Sequence, residues 1–120
     1  MTTTALDTFP RLLLHHASTR GERTAMREKH LGIWQSWNWS QAAEQVTAIA
    51  AGLAALGFRR GDHLAIIGDN RPRLYWAMCA AQCLGGIAVP LYQDAVAQEM
   101  VFVLHDADVK FAVAEDQEQV

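Results

Sequence analysis

The fold of this chain is decided by residues 63–92, which read HLAIIGDNRPRLYWAMCAAQCLGGIAVPLY. The first six residues form a short apolar run, which is typical of a strand buried on both faces. Residues 71–84 then carry apolar side chains at helical spacing, and Gly85-Gly86 ends that helix. A second apolar run follows at 87–90. This order predicts a strand, a helix and a second strand parallel to the first.

The same stretch contains an uncharged run, residues 74–92, that is long enough to cross a bilayer. Gly85-Gly86 interrupts this run, however, and Pro90 follows four residues later. A buried helix, a turn and a buried strand explain these residues better than one continuous membrane helix. The sequence therefore predicts no transmembrane segment.

On the carboxyl side, the pattern predicts a helix over 95–106 and a third parallel strand over 109–114. Asp94 is the expected N-cap of that helix. The apolar side chains that share its inner face are Val96, Met100, Val103 and Leu104.

On the amino side, the pattern predicts a helix over 41–56 with Ser40 as its N-cap. Gly57 is expected to end this helix, and Phe58 to fold back onto it. The predicted apolar stripe consists of Val46, Ile49, Ala50, Leu53 and Leu56.

The first forty residues predict a helix over 5–17, whose shared apolar face consists of Leu6, Phe9, Leu13 and Ala17. They also predict an antiparallel hairpin of strands 24–28 and 33–39. Lys29-His30-Leu31-Gly32 is the expected turn. We interpret the tryptophans of the second strand as core and hairpin packing rather than as a ligand platform, because large aromatic side chains mostly serve burial.

The predicted fold class is therefore α/β, with a partial parallel sheet, flanking helices and a small antiparallel hairpin. A parallel sheet needs both faces covered, and three strands make a thin one. We expect residues 1–120 to be the incomplete N-terminal part of a larger domain. We also expect the chain alone to aggregate or to fold loosely.

Composition narrows the function classes. Ten basic and thirteen acidic side chains give a formal charge of −3, without the basic stripe that nucleic-acid binding needs. The N-terminus has no basic segment and only the short run Leu12-Leu13-Leu14, so we expect no secretion signal. Cys79 and Cys83, four residues apart on a helix, are expected to be reduced, buried thiols in the cytoplasm. The histidines show no metal-ligand spacing.

Two loops lie where parallel sheets bind ligands, beyond the carboxyl ends of strands. In the first, Asn70 is a candidate helix cap, Arg71 a candidate anion ligand, and Pro72 suits the first helical turn. In the second, Tyr92 and Asp94 are the candidate contacts. We prefer structural roles for both loops, because the first lacks a phosphate-binding glycine pattern and Asp94 of the second is already the expected N-cap. The sequence assigns no catalytic, cofactor-binding or metal-binding residue.

The order of several segments resembles the start of AMP-forming long-chain fatty acid–CoA ligases, of the adenylate-forming superfamily. The resemblance covers about residues 8–120. The segments that carry it are IWQSWNWS at 33–40, AGLAALG at 51–57, RGDHLAIIGDNRP at 60–72, GGIAVPLY at 85–92 and FAVAEDQEQV at 111–120.

This resemblance implies a parent enzyme that uses ATP with Mg²⁺, a fatty acid and CoA, first forming an acyl-adenylate and then the thioester. The family's phosphate loop, adenine-binding segments, acyl tunnel and lysine-bearing lid lie beyond residue 120. We therefore expect this chain alone to be inactive and to bind none of these cofactors. The implied location is cytoplasmic, and both a homodimer and peripheral association with a membrane are compatible with it.

Two alternatives remain. One is another adenylating enzyme, such as an aryl-CoA ligase or a peptide-synthetase adenylation domain. The other is a self-contained small α/β binding or interaction module. A Thr/Ser/Gly-rich loop followed by Pro-Lys-Gly, encoded farther along the gene, would distinguish the enzymes from the module.

Overall fold

The computed structural model describes residues 7–68, 71–91 and 97–114. The α/β fold class is confirmed. In chain order the elements are α1 (Phe9–Arg20), β1 (Thr24–His30), β2 (Ile33–Asn38), α2 (Trp39–Ala55), β3 (His63–Ile67), α3 (Pro72–Cys83), β4 (Ile87–Leu91), α4 (Ala97–Asp106) and β5 (Phe111–Ala114).

The parallel sheet has the strand order β4-β3-β5, so β3 lies in its centre. Leu64 on β3 is in register with Ala88 on one side and Phe111 on the other. The chain therefore crosses β3 on its way from β4 to β5. The prediction that the three apolar runs form one parallel sheet is confirmed. Because α3 ends at Cys83 and β4 begins at Ile87, residues 74–92 do not form one helix.

The core lies where α2 and α3 pack against each other and α3 packs on β3 and β4. Alanines on α3 leave room for close packing, and the indole of Trp76 fills the larger space. The buried cluster consists of Ala42, Val46, Ala50, Leu53, Phe58, Leu64, Ile66, Trp76, Ala77, Ala80 and Ala81. Within the described residues, no helix is both long and apolar enough to cross a membrane.

The carboxyl end of α2 confirms the predicted glycine stop. Gly57 has φ +97°, and its N–H donates to the carbonyl of Ala54. The N–H of Phe58 donates to the carbonyl of Leu53, which completes a Schellman motif and buries the Phe58 ring. Leu56 was predicted to belong to the apolar stripe of α2, and this was wrong. Its side chain is 74% exposed because it is the C-cap residue, beyond the last helical turn.

The amino end of α2 corrects the predicted cap. Asn38, not Ser40, is the N-cap: its side-chain oxygen accepts from the N–H of Gln41 at 2.7 Å. The Gln41 side chain accepts in turn from the N–H of Asn38 at 2.9 Å, so the capping box is complete. Trp39 is consequently the first helical residue rather than the last residue of the hairpin.

Other boundaries also differ from the predictions. Helix α1 begins at Phe9 because Thr8 caps it, and Phe9 itself is 69% exposed rather than on the inner face. The hairpin strands run to His30 and resume at Ile33, so the turn is shorter than expected. On α4, Met100, Val103 and Leu104 are half-buried, as predicted. Leu6, Asp94 and Val96 lie outside the described residues.

Gly86 is a close-packed position where a side chain should be costly. A Cβ atom there would lie 2.4 Å from the Phe58 ring and 2.9 Å from the carbonyl oxygen of Asp62. That carbonyl is held in place because it accepts from the N–H of Ile87. We expect Gly86→Ala to lower the free energy of unfolding by about 2 kcal/mol, measured by urea denaturation of the complete gene product.

The matched control is Gly52→Ala, in the interior of α2, where no atom beyond the adjacent residues and the helix backbone lies within 4 Å of the added Cβ. Alanine is a better helix former than glycine, so this substitution should raise the free energy of unfolding by about 0.5–1 kcal/mol. Equal effects of the two substitutions would show that the packing around Gly86 is not as described.

Candidate binding cleft

A cavity of about 500 Å³ opens where β3 and β5 end. Its three walls are the strand ends, the first turns of α3 and one face of the β1–β2 hairpin. The lining residues are Ile66, Ile67, Gly68, Val113 and Ala114 from the sheet, Arg71, Arg73, Leu74 and Ala77 from α3 and its N-cap, and Glu28, His30, Gln35 and Trp37 from the hairpin.

The hairpin wall follows from strand alternation. Glu28 is opposite Gln35, and Met26 is opposite Trp37, so the polar side chains and Trp37 share the face toward the cleft. The Trp37 ring meets the buried Trp76 ring edge-on, with centroids 5.4 Å apart. This contact holds the hairpin against α3 and confirms the packing role predicted for Trp37.

Positive charge collects at the start of α3. Arg71 is the N-cap residue and makes no side-chain capping hydrogen bond, and Pro72 occupies the first turn. The helix dipole places partial positive charge at this end. Arg71 Nε lies 3.6 Å from Glu28 Oε1, which joins the helix wall to the hairpin wall. With Arg73 also present, the cleft can hold an anionic carboxylate or phosphate beside apolar side chains.

The described lining residues contain no Ser, Thr, Cys or Lys and only one carboxylate, Glu28. These residues therefore offer no hydroxyl, thiol or amine nucleophile and no acid–base pair of carboxylates. In the part of the chain that the structure describes, His, Cys, Asp and Glu form no group able to hold a metal ion.

Among the described residues, the groups with shifted pKa values lie outside the cleft. Burial raises the pKa of the Cys79 thiol to about 12, and the neighbouring Cys83 adds to the rise. Partial burial of the thiol also raises the pKa of Cys83, although the residue as a whole is exposed. Burial, followed by the charges of Arg20 and His15, lowers the pKa of His16. Both thiols are therefore protonated at neutral pH and poor nucleophiles.

The cysteines are unpaired, as predicted, but the expectation of burial was wrong for Cys83, which is exposed. Cys83 is the last residue of α3, where the helix ends, whereas Cys79 is half-buried one turn earlier.

Of the candidate site residues, Arg71 lines the cleft and Pro72 is buried at the helix start. Asp69, Asn70, Tyr92 and Asp94 lie outside the described residues. The sequence did not predict the contribution of the hairpin. Alternation shows which side chains share a face, but not which element that face packs against.

Comparisons with known proteins agree on one family. A family model described as AMP-binding enzyme matches residues 13–120. The uncharacterized protein Rv1549 of Mycobacterium tuberculosis is 35% identical over 83 residues, which is 69% of this chain and 47% of Rv1549. The long-chain-fatty-acid–CoA ligase FadD15 of Mycobacterium bovis is 33% identical over 86 residues, which is 70% of this chain and 14% of FadD15.

The fold is also found in a solved structure, the N-terminal subdomain of Klebsiella oxytoca NpsA in complex with 3-hydroxybenzoyl-AMSN. The TM-score is 0.81 at 24% identity, over 91% of this chain and 27% of that one. The chain thus spans about half the length of Rv1549, and smaller shares of the other two proteins.

Proposed function

Because residues 13–120 match the family model, the chain belongs to the AMP-binding enzyme family, and we propose that it is the N-terminal part of the catalytic domain of a long-chain fatty acid–CoA ligase. The observation that carries the substrate class is the 33% identity with FadD15, whose name is that of a long-chain-fatty-acid–CoA ligase. The parent enzyme acts in the cytoplasm.

In the proposed reaction, the fatty acid carboxylate attacks the α-phosphate of ATP, and pyrophosphate leaves. The thiol of CoA then attacks the acyl carbonyl, and AMP leaves. Both steps need the developing charge on phosphate and carbonyl oxygens to be stabilised by positioned cations and amides. The nucleophiles are the two substrates themselves, so the protein has to bind and orient them.

The described residues suit a supporting role in this chemistry. The carboxyl ends of β3 and β5 and the start of α3 line the cleft, and Arg71 with Arg73 gives it a positive surface. Among the described lining residues the one carboxylate, Glu28, already faces Arg71, so these residues do not fit magnesium. We therefore assign the metal and the reacting groups of the substrates to the part of the parent enzyme that follows residue 120.

A panel of acids tests the substrate class. The product of the complete reading frame is incubated with ATP, Mg²⁺, CoA and one acid at a time, and thioester formation is measured. We expect palmitate to be used at least about tenfold faster than octanoate, because added buried methylene groups accumulate binding energy. Reactions without ATP are the control.

The other outcomes separate the alternatives. Preference for benzoate or 3-hydroxybenzoate would replace the fatty acid ligase with an aryl-CoA ligase. Formation of an aminoacyl-adenylate would indicate a peptide-synthetase adenylation domain. No reaction with any acid would favour the self-contained binding module.

A further inference from the structure

The outer strands of the parallel sheet, β4 and β5, each have one side that faces away from β3. Within the described residues, no strand pairs with either of these outer sides. Each side therefore presents backbone N–H and C=O groups that need partners, either from water or from another strand. The two edges nevertheless differ chemically.

The outer edge of β4 contains a proline. The N–H of Ile87 donates to the carbonyl of Asp62, just before β3, at 2.9 Å. Because successive N–H groups of a strand point to opposite sides, the backbone nitrogens of Ala88 and Pro90 face away from β3. Pro90 is neither the first residue of β4 nor at a bulge, since the register with β3 is unbroken from Ile87 to Leu91. A proline in such a position is typical of an edge strand, because it cannot donate to a further strand.

The outer edge of β5 keeps all its donors. The N–H of Lys110 donates to the carbonyl of His63 at 3.4 Å, and β5 then pairs with β3 in unbroken register from Phe111 to Ala114. The N–H groups of Phe111 and Val113 therefore face away from β3. Strand β5 contains neither proline nor a charged residue, the two features that commonly protect a permanent sheet edge. This edge is therefore suited to pairing with another strand.

We propose that the sheet of the parent enzyme ends at β4 and continues past β5, where an extended segment from the chain that follows residue 120 pairs with the outer side of β5. The carbonyls of that segment accept from the N–H groups of Phe111 and Val113. An occupant from the same chain is favoured because the matched residues make up only 47% of Rv1549 and 14% of FadD15. This inference rests on membership in the AMP-binding enzyme family and not on the fatty acid substrate.

This arrangement also places the candidate cleft inside the parent's sheet. Helix α3 leads from β3 to β4 on one side, and the chain after β5 runs to the opposite side. Strands β3 and β5 are then neighbours whose connections diverge, which is the point where open parallel sheets bind ligands. The cleft lies where these two strands end. Growth of the sheet past β4 would instead leave the cleft at its margin.

Residue-resolved hydrogen exchange of the complete gene product tests which edge is paired. An amide that donates within a sheet exchanges only when the structure opens, whereas an outward amide at an open edge exchanges freely. We expect the protection factors of Phe111 and Val113 to exceed that of Ala88 by at least about 100-fold. Equal protection at Ala88 and Val113, or protection at neither, would overturn the proposal.

Proline substitutions provide a matched pair of variants. Val113→Pro removes an outward N–H from β5, and Ala88→Pro removes one from β4. We expect the first to lower the melting temperature of the complete gene product by at least about 5 °C more than the second. Val113→Ala shortens the side chain but keeps the N–H, so it should have a smaller effect than Val113→Pro. An equal effect of the two Val113 variants, or a loss at Ala88 as large as that at Val113, would contradict pairing at β5.

A second copy of the chain is the other possible source of the pairing strand. Protection of Phe111 and Val113 that persists when the complete gene product is diluted to a monomer, as judged by sedimentation, supports a strand from the same chain. Protection that disappears on dilution points to a second copy and overturns the proposal. The expected protection in a product that activates no fatty acid would leave this inference standing and refute the proposed substrate.

Discussion

Replacing Leu64 by alanine should lower the free energy of unfolding by about 3 kcal/mol. Leu64 is fully buried, with 0% of its side chain exposed, in the central strand β3. Hydrogen-bonded neighbours on both sides, Ala88 on β4 and Phe111 on β5, limit how far the backbone can move to fill the space. The substitution therefore removes buried methyl groups and also leaves a cavity.

Leu56→Ala is the matched control, since the same chemical change is made at a leucine that is 74% exposed. Its effect should stay within about 0.5 kcal/mol. Urea unfolding of the complete gene product carrying each substitution, followed by tryptophan fluorescence, measures both variants. Similar losses in the two would show that β3 is not the buried centre of the sheet.

The parallel arrangement was predictable because it depends on local signals. Apolar runs alternate with helical stripes, and Gly57 and Gly85-Gly86 mark where helices end. The central place of β3 was not predictable, since chain order does not determine the order of strands in space. The N-cap of α2 was also hard to predict, because Asn38 and Ser40 are both good N-cap residues. Gln41, three residues after Asn38, completes the capping box and so favours Asn38.

The cleft was predictable in part for a similar reason. The position of Arg71 follows from the strand–loop–helix order, which places it at the carboxyl edge of the sheet. The hairpin wall depends on the contact between Trp37 and Trp76, which are far apart in the sequence. Trp34 and Trp37 also look alike in the sequence, yet one is exposed beside Arg27 and the other packs inward.

The positions of the reactive side chains support the proposal that residues 1–120 have a supporting role in the parent enzyme. The described residues form a packed sheet with a charged cleft, but the thiols with raised pKa values lie outside that cleft. A site built for acyl transfer by a protein nucleophile would place an activated side chain in the cleft. A ligase that joins two substrates does not need one, which is compatible with a supporting role for residues 1–120.

The most direct test of this supporting role is fatty-acid-dependent exchange of labelled pyrophosphate into ATP, measured for residues 1–120 and for the complete gene product. Adenylation requires a cradle for the triphosphate and its Mg²⁺. We expect no exchange above background with residues 1–120 alone, at any acyl chain length. The complete product should exchange pyrophosphate rapidly with long-chain acids. Exchange by residues 1–120, or its absence in the complete product with every fatty acid tried, would contradict this account.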